Sequence, residues 1–259
     1  VDGALLLANR HYCQATLMTQ SSEQAFLKSY NPKEYDTPIY SVDIAIFTLD
    51  QGRLKVLLVE RGEHPFKGFW ALPGGFVDLK KDPDIHTTAR RKLVSKTGVD
   101  APLLEQVSTI GNAHRDPRHW SITTLYMALI PYAPTAEFIE AVNEARWFPI
   151  EEIEQLQLAF DHSELLELAR ERLKNKTAYT VLPIHVLKRP FSLTQLQKAF
   201  ELLMDTALEK KSFRRRLLNA DVLKEVGEGI PEGGKGRPAA LYEPADGSES
   251  HLFVRVFGD

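Results

Sequence analysis

The stretch Gly74-Gly75-Phe76-Val77-Asp78-Leu79-Lys80-Lys81-Asp82-Pro83-Asp84, continuing Ile85-His86-Thr87-Thr88-Ala89-Arg90-Arg91-Lys92-Leu93-Val94-Ser95-Lys96-Thr97-Gly98-Val99, decides how the first half of this chain folds. A glycine pair opens a polar loop. The residues after it predict a helix over roughly His86 to Lys96, closed by Gly98, because glycine readily takes the left-handed conformation that ends a helix. Lys92 and Lys96 lie four residues apart and so share one helical face. Asp78, Asp82 and Asp84 approach that helix from the loop side.

Outward from this stretch, Val42, Ile44 and Ile46 alternate with Asp43, Ala45 and Phe47, the period of a strand. Gln51-Gly52 turns the chain into a second strand, Leu54 to Val59. A loop from Arg61 to Trp70, rich in Gly, Pro and aromatic residues, leads back to the glycine pair. Val107 to Ile110 and Ile122 to Ile130 read as further strands, and Ala145 to Pro149 as a last short one. Strands mixed with a central helix imply an α+β sandwich up to about residue 150.

Beyond that point the pattern changes. Asp161 followed by Glu164 forms a capping-box pattern for a helix through Leu165, Leu166, Ala169 and Leu173. From Phe191 the order is helix, turn, helix, hairpin. Ser192 opens the first of these helices, with Leu193, Leu196, Phe200 and Leu203 at helical spacing. Asp205 to Leu208 connects it to a second helix, Glu209 to Asn219, with Phe213 and Leu217 on its inner face. A glycine-crowded loop, Gly227 to Gly236, follows, and Leu252 to Phe257 reads as a closing strand. Between Lys188 and Arg237 there are eleven Lys or Arg against seven Asp or Glu, with the excess at Lys210-Lys211-Ser212-Phe213-Arg214-Arg215-Arg216. Lys211 and Arg215 fall opposite Phe213, with Ser212 and Arg214 on the flanks and Arg216 near the core boundary. This arrangement suits docking in a DNA major groove, and the loop carrying Lys235 and Arg237 suits a wing on the phosphates. The candidate DNA contacts are Thr194, Lys210, Lys211, Ser212, Arg214, Arg215, Lys235 and Arg237.

Composition sets the outer bounds. With 259 residues, 43% hydrophobic and 26% charged, the chain is long enough for one large domain or two modest ones. A net charge of −3 gives no global nucleic-acid footprint, so such a surface must be local. No apolar run approaches the roughly 18 residues that a membrane span needs. The single cysteine, Cys13, rules out an internal disulfide and fits a reducing compartment. Residues 1–37 read as a lead, partly non-native or flexible. Residues 38–155 read as a ligand-binding domain, and 156–259 as a linker helix plus a DNA-binding domain.

The glycine-to-Val99 stretch resembles the Nudix box: Gly, five residues, Glu, seven residues, then Arg-Glu-apolar-any-Glu-Glu-any-Gly-apolar. In that motif the glutamates hold the divalent metals that neutralise a pyrophosphate and activate water. Here Arg91, Leu93, Gly98 and Val99 remain, while Lys92, Ser95 and Lys96 stand where the helix glutamates belong. Lys81 falls at the first glutamate, with nine residues instead of seven between it and Arg91. Two ammonium groups repel magnesium, so the resemblance implies a nucleotide-binding fold without its reaction, with neither cofactor nor metal; Asp78, Asp82 and Asp84 are the remaining carboxylates nearby. Glu60 to Gly75 and Arg115-Asp116-Pro117-Arg118 resemble the ADP-ribose-hydrolysing branch of the family. The ligand candidates are Arg61, Phe66, Lys67, Lys92, Lys96, Arg115, Asp116 and Arg118, since guanidinium forks suit phosphate.

With Phe160-Asp161-His162, Phe213-Arg214-Arg215 and Gly236-Arg237-Pro238-Ala239, the chain resembles the Nudix-related transcriptional regulators of NAD metabolism. The resemblance implies a Nudix-like α/β/α sandwich followed by a winged helix-turn-helix. It also implies a cytoplasmic, homodimeric bacterial repressor that binds operator DNA and senses ADP-ribose or a related nucleotide. Two rivals are an active ADP-ribose pyrophosphatase drawing metal ligands from outside the box, and a module whose basic helix binds an acidic protein.

Overall fold

The computed structural model describes residues 22–98, 101, 103–133, 142–229 and 238–258, with the backbone alone at 96, 97, 142, 143 and 250. Backbone contacts divide the chain into residues 1–38 and 39–259. In the first unit a helical stretch over 22–29 leads to a short 3-10 turn, Pro32–Glu34, whose cap Asn31 accepts the Lys33 N–H at 3.2 Å.

The second unit begins with strands β1 (Ile39–Asp50) and β2 (Arg53–Arg61). They pair antiparallel through a two-residue turn in which Gln51 and Gly52 both have positive φ, 51° and 72°. That geometry matches the twist of the flanking strands. Further strands are β3 (Trp70–Ala71), β4 (Gly74–Phe76), β5 (Leu103–Asn112), β6 (Ser121–Leu129) and β7 (Val142–Pro149). They form one mixed sheet in the order β3-β2-β1-β6-β5, with β4 on β1 and β7 on β2, and β1 runs parallel to β6.

Residues 42–48 of β1 are buried on both faces, which explains their near-continuous apolar run. Val42, Ile44 and Ile46 pack against Ala89 and Leu93 of helix α1 (Ile85–Thr97). Ala45 and Phe47 face helix α2 (His162–Thr177), whose Leu165, Leu166, Ala169 and Leu173 fill the other side. Asp84 caps α1 by accepting the Thr87 N–H at 2.7 Å. Gly98 ends it at φ 68°, its N–H bonded to Val94 O at 2.8 Å.

A 3-10 turn (Leu182–Val186) joins α2 to a second core. There β8 (Phe191–Ser192), α3 (Leu193–Met204), α4 (Lys210–Asn219), β9 (Leu223–Gly229) and β10 (Ala239–Pro244) build a winged helix with the small sheet β8-β10-β9. Ser192 and Gln195 make a reciprocal capping box on α3, so both members satisfy otherwise orphaned donors. Ala199 and Leu203, on the back of α3, join the core cluster of α2 and the large sheet.

Two expectations are corrected. Asp161 sits at the N-cap of α2 but makes no side-chain cap bond, because its carboxylate accepts two bonds from Arg115 instead. Leu252 to Phe257 is not a strand: only Leu252 makes a bridge, to Thr180. Phe253 and Phe257, four residues apart, both turn into the winged-helix core, and Arg216 holds the intervening chain bent by bonding the carbonyls of Arg255 and Val256.

Candidate ligand pocket and DNA-facing helix

The alternation of β1 places Asp43 on the α2 face, the one acidic residue in its buried run. Around it lies a small charged floor. Arg115 is buried and reaches Asp161 through Nε and Nη2 at 3.0 Å each, Ser121 Oγ at 3.2 Å, and Asp43 at 3.6 Å. Thr123 donates to Asp43 at 2.7 Å. His162 is buried, and burial pushes its pKa down, so the ring is neutral. Its Nδ1 accepts the Leu72 N–H at 2.9 Å. The ring proton is therefore on Nε2, 3.7 Å from Asp43 Oδ1.

Above this floor is a cavity of about 360 Å³ whose walls include Arg61, Phe76, Lys92, Arg118 and Phe160. Arg61 lies 4.7 Å from the centre of the Phe160 ring and donates to Pro65 O at 2.9 Å. Burial and then the nearby Arg118 charge lower its pKa. Arg118 is held by Asp116 through Nε at 2.9 Å and Nη2 at 2.7 Å, and lies 5.2 Å from the Phe76 ring centre. Burial opposes the charged form of Asp116, but these bonds keep its carboxyl below the usual range. Gly74 is required by crowding, and Gly75 is favoured by its positive φ. A Cβ on Gly74 would come within 2.4 Å of Asp43 Oδ1, and one on Gly75, at φ 144°, within 2.8 Å of Lys92 Nζ. The Lys92 ammonium thus lies against the glycine wall of the cavity.

A second cavity of about 430 Å³ shares Arg115 and Phe160 with the first and is lined by Phe66, Asn112, His114 and Pro117 among others. Phe66 packs on Phe160 at 4.7 Å between ring centres. Of the predicted ligand residues, Arg61, Lys92, Arg115, Asp116 and Arg118 meet in the first cavity and Phe66 in the second. Lys67 is an exposed loop residue in neither. The Lys96 side chain lies outside the described residues. Sequence reasoning missed Asp43, Phe76, Phe160 and His162 as pocket residues. The signal for Asp43 was a lone charge in a strand apolar on both faces.

The donors left near the degenerate box do not fit a divalent metal. Asp82 accepts from the Arg91 guanidinium, from Thr88 at 2.9 Å and from the Asp78 N–H at 2.9 Å. The Arg91 bond, despite burial, holds its carboxyl far below the usual range. Asp84 is a helix cap, and Asp78 accepts the Lys80 N–H and pairs with Lys81. Among the described residues no three His, Cys, Asp or Glu side chains converge as a metal site.

On α4, Phe213 and Leu217 are buried while Lys210, Lys211, Ser212 and Arg215 are exposed. Glu209 caps the helix by accepting the Lys211 and Ser212 N–H groups. Arg214 donates to Thr194 Oγ1 at 3.1 Å, and its Nε is buried, so it ties α4 to the start of α3. Arg216 lies over the Phe257 ring at 4.4 Å. Lys235 and Arg237 lie outside the described residues.

The sequence matches the Nudix domain over residues 38–169 and the NrtR DNA-binding winged helix domain over residues 183–243. It is 49% identical over 222 residues to the ADPR responsive transcriptional repressor NtrR of Acinetobacter baylyi, covering 86% of this chain and 88% of that one. The chain belongs to the NrtR family. Shewanella oneidensis NrtR, in a crystal structure with a 27mer DNA, is 42% identical and superposes with a TM-score of 0.77, covering 84% of this chain and 98% of that one. The Nudix domain of the same NrtR, crystallised with ADP ribose, is 45% identical with a TM-score of 0.56, covering 58% of this chain and 98% of that one. The NrtR likeness thus spans both the large sheet and the winged helix. No helix among the described residues is long and apolar enough to cross a membrane.

Proposed function

We propose that this chain is a transcriptional repressor of NAD-metabolism genes that binds ADP-ribose, or a related nucleotide, without cleaving it. One observation carries the reading: Arg61, Arg118 and Lys92 line a single cavity beside the glycine pair, where a hydrolase of this fold needs carboxylates and metal. Three cations with two of them in mutual repulsion favour a dianion such as a diphosphate. Phe76 and Phe160 offer ring faces to a base. The floor of Asp43, Arg115, Asp161 and His162 is bonded to itself, so it shapes the pocket, and the cations on the walls are the charged groups that line the space above it.

The NrtR relatives support the pairing of this pocket with operator DNA, which Lys210, Lys211, Ser212 and Arg215 face from α4. The protein acts as a homodimer on a near-palindromic operator with half-sites about one helical turn apart, or a multiple. Calorimetry with ADP-ribose, with product analysis under magnesium and manganese, tests the sensing half. Binding without AMP or ribose 5-phosphate above a no-protein control is expected, and accumulation of either product would establish the pyrophosphatase instead. An operator shift assay over a salt series tests the DNA half.

A further inference from the structure

Phe160 stands at a backbone position that suits another residue type. Its φ is 55°, in the left-handed region that glycine enters freely and a bulky side chain seldom does. Both neighbours hold the chain in this shape. The Ala159 N–H bonds Trp70 O at 2.8 Å, and the Asp161 carboxylate accepts two bonds from Arg115 at 3.0 Å each. The Phe160 ring lines both cavities, and Phe66 packs against it edge-on, 4.7 Å between ring centres. Backbone strain of this kind clusters at ligand sites, where the side chain it places has a task.

Two guanidiniums lie beside the ring, and their charges are met differently. Arg118 is 5.8 Å from the ring centre and pairs with Asp116 at 2.7 Å. Arg61 lies over the ring at 4.7 Å. Its hydrogen bonds go to backbone carbonyls, Pro65 at 2.9 Å and Glu63 at 3.5 Å. Burial, and then the Arg118 charge, work against the Arg61 cation. A guanidinium within about 6 Å of a ring centre is attracted by the negative face of the ring. The ring stabilises the cation without cancelling its charge, whereas a carboxylate in the same place would cancel it.

We propose that Phe160 is a positioning residue of the ADP-ribose site: its ring holds the Arg61 guanidinium in the cavity, poised for the diphosphate. This rests on the ADP-ribose reading of the cavity. Phe160 acts through Arg61, which keeps its place on the ring when the diphosphate binds. The freedom of that long side chain is then lost on folding and not on binding, which raises affinity.

Mono-, di- and trifluorinated phenylalanine at position 160 withdraw charge from the ring face in steps and keep its shape nearly constant. Calorimetry of the full chain uses two probes, ADP-ribose and inorganic pyrophosphate, which has no base. Affinity for both should fall in step with the number of fluorines, about three- to tenfold in all. In an Arg61→Gln background the same series should be flat. A ring that only fills space gives equal affinities along the series. One that stacks on the adenine gives a dependence for ADP-ribose and none for pyrophosphate. Either result would overturn the proposal, as would a full dependence that survives Arg61→Gln, or a parent chain that binds ADP-ribose and not pyrophosphate. A parent chain that binds neither probe would overturn the sensing function and this proposal with it, whereas a flat series in a chain that binds both removes the role of Phe160 alone.

Discussion

At the scale of single residues, the two arginines of the Arg115-to-Arg118 loop have opposite duties. Arg115 is sealed in the floor against Asp161 and Asp43. Arg115→Ala takes the cation from the buried Asp43, which keeps only the Thr123 bond, and both side-chain bonds from the half-buried Asp161; it should cost about 3–5 kcal/mol of stability, read as a large fall in Tm. Arg118 leans over the cavity with its side chain 42% exposed. Arg118→Ala takes the cation from one buried carboxylate, Asp116, which keeps its bond from the residue 118 backbone N–H; it should lower Tm by less than Arg115→Ala and weaken ADP-ribose binding by about 1.5–3 kcal/mol, the worth of hydrogen bonds to a charged group. Equal effects of the two substitutions on Tm would remove the distinction. His162 adds a pH dependence. Its folded pKa lies below the ordinary 6.5 because of burial, so the unfolded chain takes up the proton first. Stability is whole above pH 6.5 and is lost as pH falls from 6.5 through the folded value. His185 is lowered by burial in the same sense. Thermal melts between pH 7.5 and 5.5 should therefore show a fall in Tm that is smaller in His162→Asn, where the amide oxygen keeps the acceptor for Leu72.

At the scale of elements, α4 separates structure from recognition along its own length. Phe213 packs edge-on against Phe200 at 5.2 Å and on Phe257 at 5.6 Å, so Phe213→Ala should cost about 3–5 kcal/mol and loosen the winged helix. Arg215→Ala should leave the fold intact and cost about 1–3 kcal/mol of operator affinity, with preference relaxed at one base position. Lys211→Ala should weaken all DNA alike and flatten the salt slope by about one. Operator affinity unchanged in both would mean that α4 does not face DNA. These helices were legible in sequence because their signals are local: Ser192 at the opening of α3, apolar residues at helical spacing, Gly98 after α1. The errors came from partners far along the chain. Asp161 and Glu164 make a valid capping pattern, yet Arg115, 46 residues earlier, takes the carboxylate. In the tail, period-two alternation would bury Arg255 with Phe253 and Phe257; Phe253 and Phe257 instead enter the core as a pair four residues apart, while Val254 is left fully exposed. The pocket was half legible: loop arginines and a helix lysine announce themselves by type, whereas Asp43, Phe160 and His162 become neighbours only once β1, the loop before α2, and α2 itself are assembled.

At the scale of the whole molecule, the pocket and α4 share one physical connection. Asp161 and His162 open α2 and are fixed to the pocket floor through Arg115 and Leu72. Farther along, α2 lies in one core cluster with Ala199 and Leu203 of α3, and Arg214 ties α3 to α4 through Thr194. A sensor that does no chemistry acts only through different ligand affinities of its DNA-bound and free states. ADP-ribose should therefore weaken operator binding, with a coupling of about 1–3 kcal/mol, roughly 5- to 150-fold. Thermodynamic reciprocity then requires operator DNA to weaken ADP-ribose binding by the same factor. Thr194→Val, which removes the acceptor for Arg214 and leaves the pocket untouched, should lower the coupling while ADP-ribose binding to the DNA-free protein stays the same. Titrating ADP-ribose calorimetrically with and without operator, in the parent chain and in this variant, measures all three quantities. Identical affinities in the two parent titrations would reduce the Nudix-like domain to a platform for the winged helix, because a ligand that binds both states equally shifts neither.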